Sequence, residues 1–201
     1  MKKVIVVGGT GKIGQAVSNA LKEEHEVITA GYSSGDVQVD IGSRASIEMM
    51  YKQVGDFDDV VATVGKVKFS ALDKMTSEDY QVGLNHKLMG QVNLVLEGIK
   101  YINQGGSFTL TSGILNVEPI KGGTSAAMVN SALEGFVLSA SYELPNKNRI
   151  NIVSPTVITE ALDTYGEFFK GYLPVAVNEA ALAYVKSVDS HHTGRVYRVG
   201  F

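Results

Sequence analysis

The feature that most constrains this chain is its opening. The apolar run Val4-Ile5-Val6-Val7 breaks into Gly8-Gly9-Thr10-Gly11-Lys12-Ile13-Gly14, and an amphipathic stretch from Gln15 to Leu21 follows. A short apolar run closed by glycines and followed by helical period predicts a strand, a tight turn and a helix. The turn carries Gly-x-Gly-x-x-Gly in Gly9, Gly11 and Gly14. Glycine at that spacing allows positive φ, lets a pyrophosphate approach the backbone and seats the helix close to the sheet. The helix start then offers free N–H groups and the positive end of its dipole. The whole turn is therefore read as a dinucleotide phosphate site: Gly8, Gly9, Thr10, Gly11, Lys12, Ile13 and Gly14.

Beyond the turn, short apolar runs alternate with longer segments of helical period, the rhythm of parallel strands joined by crossover helices. Strands are expected at 3–7, 26–30, 37–40, 59–63, 107–111, 150–153 and 196–199. Helices are expected at 12–23, 43–53, 77–102, 123–143 and 178–188, with the long third one broken near Asn85. No repeat, low-complexity tract or linker interrupts this order, so residues 1–201 are read as one α/β domain with a doubly wound, mostly parallel, seven-stranded sheet.

The balance of charge narrows the partners. A formal net charge of -3 gives no electrostatic footprint for nucleic acid, which leaves a small molecule as the expected partner. The absence of cysteine removes disulfides, thiolate nucleophiles and zinc-ribbon spacing and fits a reducing cytoplasm. The first apolar run is too short for a signal peptide or a membrane span, so a soluble cytoplasmic protein is expected. Among His25, His86, His191 and His192 no two stand three or four residues apart, so no helical metal pair is offered and no metal is expected. His86 alone merits a test for a role. The acidic run Asp56 to Asp59 is read as a solvated turn.

An NAD site usually places a carboxylate about twenty residues beyond the glycine turn, on the ribose 2'-hydroxyl. Here the second strand runs into Thr29-Ala30-Gly31-Tyr32-Ser33-Ser34, with no acid before Asp36. Ser33, Ser34 and Lys12 could donate to a 2'-phosphate, so the reading favours NADP(H) over NAD(H).

At this point the sequence resembles the short-chain dehydrogenase/reductase family over nearly its whole length, which implies a Rossmann-type fold. The family's Thr-Gly-x-x-x-Gly-x-Gly falls on Val7 to Gly14, with Val7 for the threonine and Lys12 for the second glycine. Asp40-Ile41 looks like the pair that contacts adenine, and Asn-Asn-Ala-Gly is reduced to Ala62-Thr63-Val64-Gly65, where only Gly65 survives. The resemblance implies catalytic roles for Asn85, which would help carry a proton-relay water, and for Ser112, which would bond the substrate oxygen. The segment around Pro155 and Ile158 looks like the one that closes over nicotinamide, with Thr156 where glycine is usual. Counting back from Ala132-Leu133-Glu134-Gly135-Phe136 puts Ala126 at the family's tyrosine and Asn130 at its lysine. Asn130 keeps a hydrogen bond for the ribose and loses the charge. The likeness also implies a homodimer or homotetramer.

The loss has a direct chemical consequence. Hydride transfer to a carbonyl leaves an alkoxide that needs a proton, and a positioned acid is worth about a hundredfold to ten-thousandfold in rate. An alanine methyl donates nothing, and the hydroxyls of Thr124 and Ser125 are poor acids. Lys66, Lys87 and Lys121 lie in segments that the fold brings toward the cofactor face, and Tyr165 and Tyr172 sit in the segment after Pro155, where they come first as candidates for a relocated acid. Three aromatics in Phe168-Phe169-Lys170-Gly171-Tyr172 belong to a presumed closing segment, and Val64, Ile114, Leu115 and Val157 hint at a nonpolar ligand. Two readings stay open: an NADP(H)-dependent oxidoreductase with a non-standard proton source, or a catalytically inactive dinucleotide-binding sensor or scaffold.

Overall fold

The computed structural model describes residues 1–201. Seven strands form one sheet in the order β3-β2-β1-β4-β5-β6-β7, and every neighbouring pair is parallel. The strands are β1 (Lys3–Val7), β2 (Glu26–Gly31), β3 (Val37–Gln38), β4 (Phe57–Ala62), β5 (Ile102–Thr111), β6 (Arg149–Pro155) and β7 (Val196–Val199). The helices are α1 (Lys12–Leu21), α2 (Arg44–Val54), α3 (Ser77–Gly83), α4 (Met89–Gly98), α5 (Thr124–Glu143), α6 (Leu162–Tyr165) and α7 (Val177–Asp189). The expected α/β sheet is present, parallel throughout. No helix is long and apolar enough to cross a membrane.

Both faces of the sheet are covered, which is why its strands read as unbroken apolar runs. Successive side chains of β1 point to opposite layers: Val4 and Val6 join Val17, Leu21, Ala181 and Tyr184 of α1 and α7. Ile5 and Val7 join Met50, Leu94, Leu133 and Val137 of α2, α4 and α5. The order of strands turns back between β1 and β4, so the loops after these two strands splay apart at the carboxyl edge of the sheet. Such a switch point opens a crevice for a ligand.

Two expectations need correction. The stretch 77–102 ends its helix at Gly98, and β5 already begins at Ile102, because Asn103 at this end is tied by its Nδ2 to Asp58 at 2.8 Å. The second concerns Asp59, which is fully buried rather than part of a solvated turn. It accepts a hydrogen bond from the Ser107 hydroxyl and lies 3.4 Å from Lys2 Nζ and 4.0 Å from Arg149 Nη2. Burial pushes its carboxyl up, against the pull of these partners. The sheet is thus pinned electrostatically at the edge opposite the crevice.

Helix α1 sits so close to the glycine turn that a Cβ on Gly14 would lie 2.0 Å from the Gly8 carbonyl oxygen. Gly135, in the exposed middle of α5, has nothing within 4 Å of the same added atom. Gly14→Ala is expected to cost about 3 kcal/mol by forced displacement of the backbone, whereas Gly135→Ala gains about 1 kcal/mol from helix propensity. Urea unfolding of the two variants beside the parent checks both signs.

Candidate active site

Two cavities meet in the crevice. The first, of about 520 Å³, is bounded by Gly8, Thr10 and Gly11 of the turn, by Gly31 and Tyr32 after β2, and by Asp40, Ile41, Lys66 and His86. The second, of about 310 Å³, lies over the ends of β4, β5 and β6 and is walled by Lys87, Ser112, Ala126, Asn130, Pro155 and Ile158, among others. Thr63, Val64 and Gly65, the loop after β4, border both. The pair therefore forms one bent groove.

The turn supplies donors to the first cavity. Gly8 adopts φ +84°, and its N–H bonds to the Ala30 carbonyl at 2.7 Å, which fixes the chain as it leaves β1. Gly11 caps α1 without any side-chain acceptor, and the first N–H to return a bond is that of Gln15, to Gly11 O at 2.8 Å. The N–H groups of Lys12, Ile13 and Gly14 stay free for an anion, with the helix dipole behind them. Gly9 and Gly14 are buried, line neither cavity and act through close packing. The Lys12 side chain points elsewhere: its ammonium donates to the Glu160 carbonyl and ties α1 to the segment after β6.

At the far end of the first cavity, Asp40 accepts a bond from Gly42 N–H at 2.9 Å and Ile41 closes the wall beside it. Ser33 and Ser34 are exposed and line neither cavity. The acid nearest to them, Asp36, is folded back: one of its oxygens accepts both the N–H and the hydroxyl of Thr29, at 2.8 and 2.7 Å. These bonds hold its carboxyl below the usual range and leave no carboxylate from this loop in the cavity wall. Lys66, whose ammonium stands 5.9 Å from the Tyr32 ring centre, supplies a positive charge there.

The break expected near Asn85 is a single π turn, Leu84–Leu88, between α3 and α4. The wider turn carries an extra residue, a distortion that recurs at functional sites. It lets two consecutive side chains reach the groove: His86 enters the first cavity and Lys87 the second. Asn85 is exposed and lines neither, so the side chain that this segment delivers is Lys87 instead. The stem of Lys87 lies against Gly65, where an added Cβ would come within 2.6 Å of its Cγ. Its ammonium donates to the Ser112 carbonyl at 2.9 Å. Burial without a carboxylate partner pushes the ammonium down to about 8.

Ser112 borders the second cavity, yet its hydroxyl donates to Glu134 Oε1 at 3.0 Å, turned toward α5. Ala126 offers only its methyl, packed with Ile114 and Leu115. Asn130 donates from Nδ2 to the Gly113 carbonyl at 3.0 Å, while its Oδ1 is buried with no partner. Thr156 Oγ1 is a second buried atom without a partner on the same wall. Residues 159–175 fold over the opening, held at their base by a bridge between Ile158 and Val175. In that segment Tyr165 borders the cavity, whereas the Tyr172 hydroxyl is engaged by the Glu118 carbonyl at 3.1 Å. Lys121 lies outside both cavities.

These residues fit a dinucleotide laid along the groove: a glycine cradle that a Cβ would fill, free N–H groups at a helix start, and two unpartnered polar atoms at the far end. The comparisons with known proteins agree with that architecture. The family model described as enoyl-(acyl carrier protein) reductase matches residues 5–190. The chain belongs to the short-chain dehydrogenase/reductase family of oxidoreductases. It is similar to the protein lin1944 from Listeria innocua, with 47% identity, a TM-score of 0.98, and coverage of 99% of this chain and 100% of that one. A crystallised small-chain dehydrogenase in complex with NADPH is 26% identical at a TM-score of 0.88, over 98% of this chain and 96% of its own. An uncharacterized oxidoreductase of Methylorubrum extorquens is 26% identical over 194 residues, 82% of this chain and 77% of its own.

The desolvated ammonium of Lys87 has a thermodynamic signature. Its folded value near 8 lies below the ordinary 10.5, so the unfolded chain binds more protons between these two values and stability rises with pH across that window. Lys87→Met is expected to stabilise the protein at pH 7 by on the order of 2 kcal/mol. The gain shrinks as pH climbs from about 8 toward 10.5. Denaturation curves of the pair at several pH values check both the sign and the window.

Proposed function

We propose that this protein is an NADP(H)-dependent oxidoreductase that acts on a small, largely apolar substrate held in the second cavity. The observation that carries the reading is the continuity of the groove: the loop from Thr63 to Gly65 borders both the phosphate cradle and the cavity that holds Lys87. The free N–H groups of Lys12, Ile13 and Gly14 would bind the pyrophosphate, Asp40 and Ile41 would flank the adenine end, and Asn130 and Thr156 would meet the nicotinamide end. A reduced dinucleotide supplies a hydride when bound. The chain itself orients, excludes water with residues 159–175 and provides a proton.

Preference for the 2'-phosphate rests on Lys66 in the cavity wall and on Asp36 being drawn onto Thr29; the NADPH complex of a 26% identical relative supports it. The same reading places the protein in the cytoplasm as a homodimer or homotetramer. The exposed apolar side chains Leu96 of α4 and Leu138 and Tyr142 of α5 support such an assembly. A second reading, a dinucleotide sensor without turnover, is favoured by the methyl of Ala126 where a phenol would stand.

Fluorescence titration with NADPH and NADH tests the site, with Gly11→Asp as control. Gly11 has φ -81°, and a Cβ there would meet only the Gly8 carbonyl, at 3.4 Å. Aspartate also favours the N-cap, so the variant folds while its charge opposes the phosphates. NADPH is expected to bind more tightly than NADH, and Gly11→Asp to weaken it by on the order of a hundredfold. If neither nucleotide binds the parent, both readings fall.

A further inference from the structure

We propose that Lys87 is the proton donor of this site, its ammonium giving a proton to the carbonyl oxygen of a neutral ketone or aldehyde as the carbonyl carbon is reduced. The inference rests on the hydride-transfer reading above and goes beyond it by naming the acid and the group that receives the proton.

Placement is the first argument. The π turn directs Lys87, and not Asn85, into the second cavity, and its stem crosses Gly65 on the wall common to both cavities. A ligand that spans the groove must pass this side chain. The second argument is donor capacity. An ammonium has three N–H groups; one is spent on the Ser112 carbonyl, which holds the group in place and leaves the others uncommitted. The side chain is half-buried, and no carboxylate pairs with it.

The surroundings also single it out. Among the residues lining this cavity only Lys87 and Tyr165 titrate. Helix α5 contributes Ala126 and Asn130, and Ser112 follows β5, with Glu134 behind its hydroxyl and 3.7 Å from Arg198. His86, the neighbour along the turn, opens into the other cavity. Tyr165 is 41% exposed on the covering segment. Desolvation leaves the Lys87 ammonium near 8, close to the value at which an acid is both populated and willing to donate.

The step balances. The carbonyl carbon forms a C–H bond with a hydride from a reduced nicotinamide dinucleotide, the C–O π bond breaks, and its electron pair takes the proton from Lys87 Nζ as an O–H bond. The carbonyl carbon is reduced and the dinucleotide oxidised. Lys87 is left as a neutral amine that regains a proton from water, and in the reverse direction that amine accepts the alcohol proton.

The test joins a readout of Lys87 itself to one of turnover. Competitive acetylation of the protein without nucleotide, followed residue by residue by mass spectrometry, is expected to give Lys87 a midpoint near 8, well below the exposed lysines. Lys87→Met is expected to bind NADPH within about threefold of the parent and to lose reduction of a panel of small aliphatic and aromatic ketones by about a hundredfold or more. In the parent, kcat/KM for reduction stays level below about pH 8 and falls above it; Lys87→Arg, which cannot release a proton in this range, lacks that limb. A Lys87→Met variant that reduces as fast as the parent overturns the proposal, as does a Lys87 that labels with the surface lysines. A parent that binds NADPH yet reduces no carbonyl also overturns it and leaves the sensor reading standing, whereas a parent that binds no NADPH removes the underlying reading as well.

Discussion

The contact between Gly14 and the Gly8 carbonyl sets the geometry on which the rest of the carboxyl edge depends. Helix α1 can approach the turn this closely only because no Cβ intervenes, and its unpaired first-turn N–H groups follow directly on Gly11, which lines the first cavity. From there the other walls follow. Gly8 N–H is held by β2, the Thr63 hydroxyl bonds the Val7 carbonyl at 3.1 Å across the switch point, and the loop that leaves β4 becomes the divider between the two cavities. At the opposite edge, buried Asp59 with Ser107, Lys2 and Arg149 ties β4, β5 and β6 together. A ligand site at one end of a parallel sheet requires that the strands hold register along their length, and this cluster serves that need at a cost in desolvation.

The second cavity carries two titratable side chains, Lys87 and Tyr165. Hydroxyls remain on its walls, but Ser112 is turned onto Glu134. An uncompensated ammonium is an expensive thing to bury, and burial costs of several kcal/mol are kept only where surrounding structure enforces them. Here the enforcement is visible: one extra residue in the π turn, a glycine that makes room for the lysine stem, and a carbonyl that fixes the ammonium. Desolvation of one side chain, in the cavity next to the glycine turn, is the kind of perturbation that clusters at functional sites.

Much of this was legible in the chain itself. The strand, turn and helix at the start, the alternation of elements and the break near Asn85 are local patterns, and local patterns survive in sequence. The burial of Asp59 was not legible, because its partners Ser107 and Arg149 come from strands far along the chain. Nor was the direction of the side chains in Leu-Asn-His-Lys-Leu: three successive polar residues give no hint of which one turns inward. A π turn shifts every following side chain around the axis, and helical period cannot be counted through it.

The sequence alone determined the fold class and the place of the glycine turn between β1 and α1, since each depends on residue identity at fixed spacing. Only the tertiary structure decided that Asn85 stays outside the groove, that Ser112 spends its hydroxyl on Glu134 and that Lys87 enters the cavity. Direction and burial are set by what the other elements leave open, and desolvation, which makes a lysine an acid near neutral pH, is a property of the assembled walls and not of the residue.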